Sequence, residues 1–98
     1  GKVAPKRKNP TKRGPSEVLA LDPTIAANTR WLVDALCAQL NIPKNAPRAN
    51  GVVSHTVQFT DEASRKGWSG VVGHHHCSSN KWDVACWWSD LFAGTPLG

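Results

Sequence analysis

Residues 81–92, KWDVACWWSDLF, constrain the fold of this chain more than any other segment. Read as a helix capped by Asn80 and stopped by Gly94 and Pro96, they put Val84, Trp87, Trp88 and Leu91 on one apolar stripe. Trp82, Ala85, Cys86, Ser89 and Phe92 make a second. A helix apolar on nearly all sides has to be covered on nearly all sides. With 98 residues the chain forms one domain with a modest core, and a single sheet layer covers only one stripe. The expectation is that one stripe packs on the domain and the other on a second subunit, with Trp82, Trp87, Trp88, Leu91 and Phe92 as the core or dimer surface.

The net charge of +5 is unevenly distributed. Residues 1–15, GKVAPKRKNPTKRGP, carry Lys2, Lys6, Arg7, Lys8, Lys12 and Arg13 with no acid, while the other bases are balanced by the acids of residues 16–98. With three prolines and almost no large apolar side chain, this arm buries too little to fold alone. It is expected to be disordered until it meets a polyanion; a nuclear-localisation or solubility tail is one reading, and binding of a nucleic-acid phosphate backbone by counterion release is the sharper one. Two units follow: a basic flexible arm over 1–15 and a dimerisation domain over 16–98. The odd cysteine count (Cys37, Cys77, Cys86) points to a reducing compartment. A start at Gly1-Lys2 reads as a processed product or a fragment. No apolar run approaches the roughly 18–20 residues a bilayer needs, so a soluble chain without membrane insertion is expected.

Asp22-Pro23 reads as a helix start, and Ile25, Leu32, Leu36 and Leu40 then fall on one stripe beside Val33 and Cys37, ended by Asn41 and Pro43. A short turn capped by Ser16 precedes it. The loop PKNAPRANG leads to residues 52–59, where Val53, His55, Val57 and Phe59 alternate with Val52, Ser54, Thr56 and Gln58 as in a strand with one apolar face. A second strand over 68–76, weakened by Gly70 and Gly73, would complete a hairpin. The predicted class is α+β, a small antiparallel sheet flanked by helices.

Three chemistries compete for the segment HHHCSSNKWDVACWW. Zinc could take His74, His76, Cys77 and Cys86, with His55 from the neighbouring strand, and a strand would put His74 and His76 on one face with His75 opposed. The Cys-x8-Cys interval fits no regular knuckle, so neither metal nor cofactor is assigned. A cysteine nucleophile is suggested by Ala-Cys-Trp-Trp, which resembles the nucleophile segment of viral papain-like proteases. No histidine follows Cys86, however, and a base from His55 would require a permuted order. The expectation is therefore not an enzyme. A small viral cysteine-dependent or zinc-binding protein using Cys86 with His55, His74 or His76 is the alternative, beside a ribosomal or other ribonucleoprotein component.

The third chemistry is scaffolding. Gly51-Val52-Val53-Ser54-His55-Thr56-Val57-Gln58-Phe59-Thr60 resembles the Gly-x-x-Ser-x-Thr-Val-x-Phe strand of arterivirus nucleocapsid proteins. The order of a basic arm, an amphipathic helix over 29–40, a turn, the strand and a final helix is similar too. The resemblance implies an intertwined dimer with a shared antiparallel floor and an arm that binds genomic RNA through Lys2, Lys6, Arg7, Lys8, Lys12 and Arg13. It further implies higher-order assembly in the virion and host cytoplasm, with the nucleus open to the basic arm.

Overall fold

The computed structural model describes residues 5–93, 95 and 97. It is a small α+β fold with two two-stranded antiparallel sheets and four α-helices among the described residues. In chain order these are β1 (Lys6–Lys8), β2 (Glu17–Leu19), α1 (Pro23–Leu40), β3 (Arg48–Ala49), β4 (Val52–Val53), α2 (Glu62–Lys66), α3 (His74–Cys77) and α4 (Trp88–Phe92), the last preceded by a 3-10 turn over Ala85–Trp87. Among the described residues no helix is long and apolar enough to cross a membrane.

Helix α1 begins and ends where local chemistry dictates. The Asp22 carboxylate accepts from the Thr24 and Ile25 N–H groups at 2.8 and 3.3 Å, Pro23 occupies the first turn, and Asn41 closes the helix in the left-handed region at φ 53°. The buried face is not the leucine stripe. Ile25, Leu32, Leu36 and Leu40 are 55, 51, 47 and 63 % exposed, and Trp31 is 71 % exposed. Instead Ala26 and Cys37 are buried, with Val33 partly so, one helical face away. Ala26 lets α4 approach closely, and Arg30 on the same face donates to the Asp90 and Leu91 carbonyls at 2.8 and 3.3 Å. The core gathers Ala26, Ala46, Trp88, Leu91, Phe92 and Leu97.

The N-terminal segment departs from the expected free arm. β1 pairs antiparallel with β2 in the register Lys6↔Leu19, Arg7↔Val18, Lys8↔Glu17. The turn expected at residues 16–21 is thus a strand. Asn9 organises the connecting loop: its side chain accepts from the Thr11 N–H at 2.8 Å and donates to the Pro15 carbonyl at 2.9 Å. Period-2 alternation turns Arg7 and Val18 inward, and Arg7 Nε donates to Asp90 Oδ1 at 2.8 Å. Lys2 lies outside the described residues.

This ordered hairpin supplies a layer that the sequence argument lacked. Trp87 donates its indole N–H to the Leu19 carbonyl at 2.8 Å, and the Trp82 ring lies directly over Gly14. Trp88, Leu91 and Phe92 are buried in the core, while Trp82 and Trp87 are half-buried. Both stripes of the tryptophan-rich segment are therefore engaged within one chain. The segment is also not one helix from 81 to 92 but a 3-10 turn joined to the short α4, and Asn80 does not cap it. The expected stop at Gly94 and Pro96 lies outside the described residues.

The expected strand over 52–59 is cut to two residues. Asn50 and Gly51, at φ 54° and 81°, form the tight two-residue turn that positive φ at both positions favours, pairing Arg48↔Val53 and Ala49↔Val52. The Ser54 N–H donates to the Pro47 carbonyl at 2.9 Å, but Pro47 has no N–H to return, and the ladder stops. Residues 54–60 run on without a ladder until the Gln58 and Phe59 N–H groups both donate to the His76 carbonyl. The expected partner strand over 68–76 does not form. Gly70 sits at φ 152°, where a Cβ would collide with the Asn45 carbonyl oxygen, and the chain then enters the α3 turn.

Candidate functional site

Two assemblies of chemically able side chains emerge. The first is the exposed cations of the β1–β2 hairpin, Lys6 and Lys8 on β1 and Lys12 and Arg13 in the loop that follows. Lys6 makes an exposed ion pair with Glu17 at 3.3 Å, and among the described residues Lys8, Lys12 and Arg13 have no carboxylate in ion-pairing range. Arg7 is separate from this set. Together with Arg30 and Asp90 it lines a cleft of about 480 Å³ between the hairpin and α1, where it holds the hairpin down.

The second assembly is a trio of imidazoles. β4 delivers the chain into the extended stretch carrying His55, and α3 presents His75 and His76; both α3 rings are 0 % exposed. One nitrogen from each ring falls within 4.8 Å of the others, the single grouping of three or more metal-ligating side chains among the described residues. His55 Nδ1 lies 3.0 Å from His75 Nε2. His76 is fixed by the backbone: its Nδ1 accepts from the Gly73 N–H at 2.8 Å and its Nε2 donates to the Ser54 carbonyl at 2.7 Å, which assigns it the Nε2–H tautomer. The edge of Trp88 meets the trio, with ring centres 5.8 Å from His75 and 5.3 Å from His76. Gly73 is required here, since a Cβ would fall 2.6 Å from the His75 ring.

Burial disfavours the charged form of each ring, and the rings repel one another's charge. His75 is pushed down to about 4, by desolvation first and then by His76 and His55. His55 is lowered by burial and by His76, and His76 by burial against the opposing pull of its Ser54 and Gly73 hydrogen bonds. All three are neutral imidazoles near pH 7, each with one N–H and one lone-pair nitrogen.

The sequence pointed to a different set. His74, expected to share a strand face with His76, lies exposed on α3 with its Nδ1 3.5 Å from Asp83. His75 takes its place because 74–77 is a helical turn. A signal was present: residues 73–81, GHHHCSSNK, contain no β-branched or large aromatic residue, a poor strand composition. Cys77 and Cys86 are outside the trio, and burial raises the Cys86 thiol, the opposite of what a nucleophile needs.

Compared with known proteins, the chain matches no family, no curated protein and no solved structure.

Proposed function

We propose that this chain is an RNA-binding, self-assembling protein of the nucleocapsid kind, acting in the virion and host cytoplasm. The observation that carries the reading is the set of exposed cations on the hairpin: Lys6 and Lys8 on β1 and Lys12 and Arg13 in the loop after it, three of them without an acidic partner among the described residues. Such a set attracts phosphates of any sequence through counterion release. Self-association, on this reading, uses the exposed stripe of Ile25, Leu32, Leu36 and Leu40 rather than the tryptophan segment, whose apolar surface is already engaged. A second copy suits it because the stripe bears no charge, so two copies meet without like-charge repulsion.

The test is anisotropy of a labelled unstructured single-stranded RNA against salt. About four phosphate contacts at roughly −0.7 each give a log–log slope near −3, a loss of about 50-fold from 50 to 200 mM salt. Replacing Lys8, Lys12 and Arg13 together by alanine should flatten that slope to about −1. Salt-independent binding, or an unchanged slope in the triple variant, overturns the reading. Competition by unrelated RNA should be complete; protection by one defined RNA would favour a ribonucleoprotein component instead.

A further inference from the structure

We propose that His55, His75 and His76 form a binding site for one divalent transition-metal ion of the kind imidazole prefers, with zinc as its probe. The three rings come from two segments twenty residues apart and bring one nitrogen each to within 4.8 Å of the others. Two ligands on a tetrahedral zinc with bonds of 2.0–2.1 Å lie roughly 3.3 Å apart. His55 Nδ1 and His75 Nε2 are already at 3.0 Å, so a zinc ion enters by a small outward turn of two rings.

The trio also holds a buried polar atom. If His55 Nδ1–H donates to His75 Nε2, neutral His75 carries its proton on Nδ1; if His75 Nε2–H donates, Nδ1 is a bare lone pair. In both cases His75 Nδ1 is buried with no hydrogen-bond partner among the described residues. Ligation through His75 Nε2 fixes the proton on Nδ1 and leaves that N–H as it was, so the case for a metal rests on the convergence of the three ring nitrogens. His76 holds the geometry that metal-bound histidines show, one ring nitrogen donating to a backbone carbonyl, here Ser54. Ligation through its Nδ1 keeps that orienting bond and takes the acceptor of the buried Gly73 N–H, which has to find another. Of the two facing nitrogens, His55 Nδ1 and His75 Nε2, one carries the hydrogen of their bond, so ligation moves that proton to the far nitrogen of its own ring without releasing it. A pocket of about 220 Å³ bordered by Thr11, Lys12, His55, His75, Ser78 and Lys81 provides an entry path and room for a fourth ligand from solvent.

The experiment is titration of the chelator-stripped full chain with zinc by calorimetry, and with cobalt(II) by visible absorption. One zinc per chain and the intense ligand-field bands of four-coordinate cobalt are expected. Second-sphere partners alone are worth 10–100-fold in metal affinity, so His55→Gln should weaken binding by at least about 100-fold while His74→Gln leaves it unchanged. His55 is only half-buried, and its variant's fold is checked by tryptophan fluorescence. If that variant does not fold, imidazole nitrogen shifts of the native chain decide: zinc must move those of His55, His75 and His76 and spare His74. Zinc well below one per chain, or one zinc whose affinity or shifts follow His74 instead, overturns the proposal. Neither result bears on RNA binding by the hairpin lysines.

Discussion

Asp90 joins three parts of the molecule through one residue. Its carboxylate accepts from Arg7 Nε at 2.8 Å and from the Leu21 N–H at 3.4 Å, and its carbonyl accepts from Arg30 at 2.8 Å. Asp90→Ala removes the first two contacts and leaves the third. A hydrogen bond to a charged group contributes about 1.5–3 kcal/mol when buried. Here the Asp90 side chain is 13 % exposed but Arg7 is 38 % exposed, so solvent screening discounts the pair to about 1 kcal/mol. The stranded Leu21 amide adds up to about 1 kcal/mol, for a total near 2 kcal/mol. Urea unfolding followed by tryptophan fluorescence on the parent chain, Arg7→Ala, Asp90→Ala and the double variant isolates the pairwise part, expected at about 1 kcal/mol. Amide exchange supplies the structural half: the Asn9 and Ala20 N–H groups, which donate to Ser16 and Pro5 carbonyls across the hairpin, should exchange faster in either single variant. A coupling below about 0.3 kcal/mol with unchanged exchange would refute the idea that this contact pins the hairpin. Freeing Arg7 should also steepen the RNA salt slope by about 0.7.

Other consequences are as direct. Leu36→Asp, at a half-exposed position on α1, should abolish self-association in light scattering while changing monomer stability by about 0.5 kcal/mol or less; an unchanged oligomer would remove the α1 stripe from assembly. Trp88→Ala deletes a buried ring stacked edgewise on Phe92 with centres 4.8 Å apart, and should cost about 3–5 kcal/mol in urea unfolding, with a loss below about 1 kcal/mol contradicting the core assignment. In the chelator-stripped chain the depressed folded-state pKa of His75 contributes stability in full above the unfolded value of 6.5, lost as pH falls toward about 4. That is about 2 kcal/mol by about pH 5 from His75 alone, so equal urea midpoints at about pH 7 and pH 5 would count against burial of the trio.

Signals that act within a few residues were legible in the sequence. Asp22-Pro23 and Asn41 bound α1 because cap hydrogen bonds and left-handed closure need only their immediate neighbours. The apolar 81–92 segment demanded cover on both stripes, and it has that cover. What covers it was decided in three dimensions. The basic segment has too little apolar surface to fold by itself, yet one inward residue, Arg7, meets a carboxylate 83 positions away, and β1 then pairs with β2. The leucine stripe of α1 had the stronger amphipathic pattern, but Ala26 and Arg30 suit the approach of α4, so the smaller face was buried. The histidines were visible as a cluster and misassigned as a face. Strand periodicity pairs 74 with 76, whereas a turn started at Gly73 sets 75 and 76 beside His55, and only the refusal of Gly70 and Pro47 to continue a ladder makes that turn the outcome. Composition supplied the charge and the ligand types; long-range partners chose which of them meet.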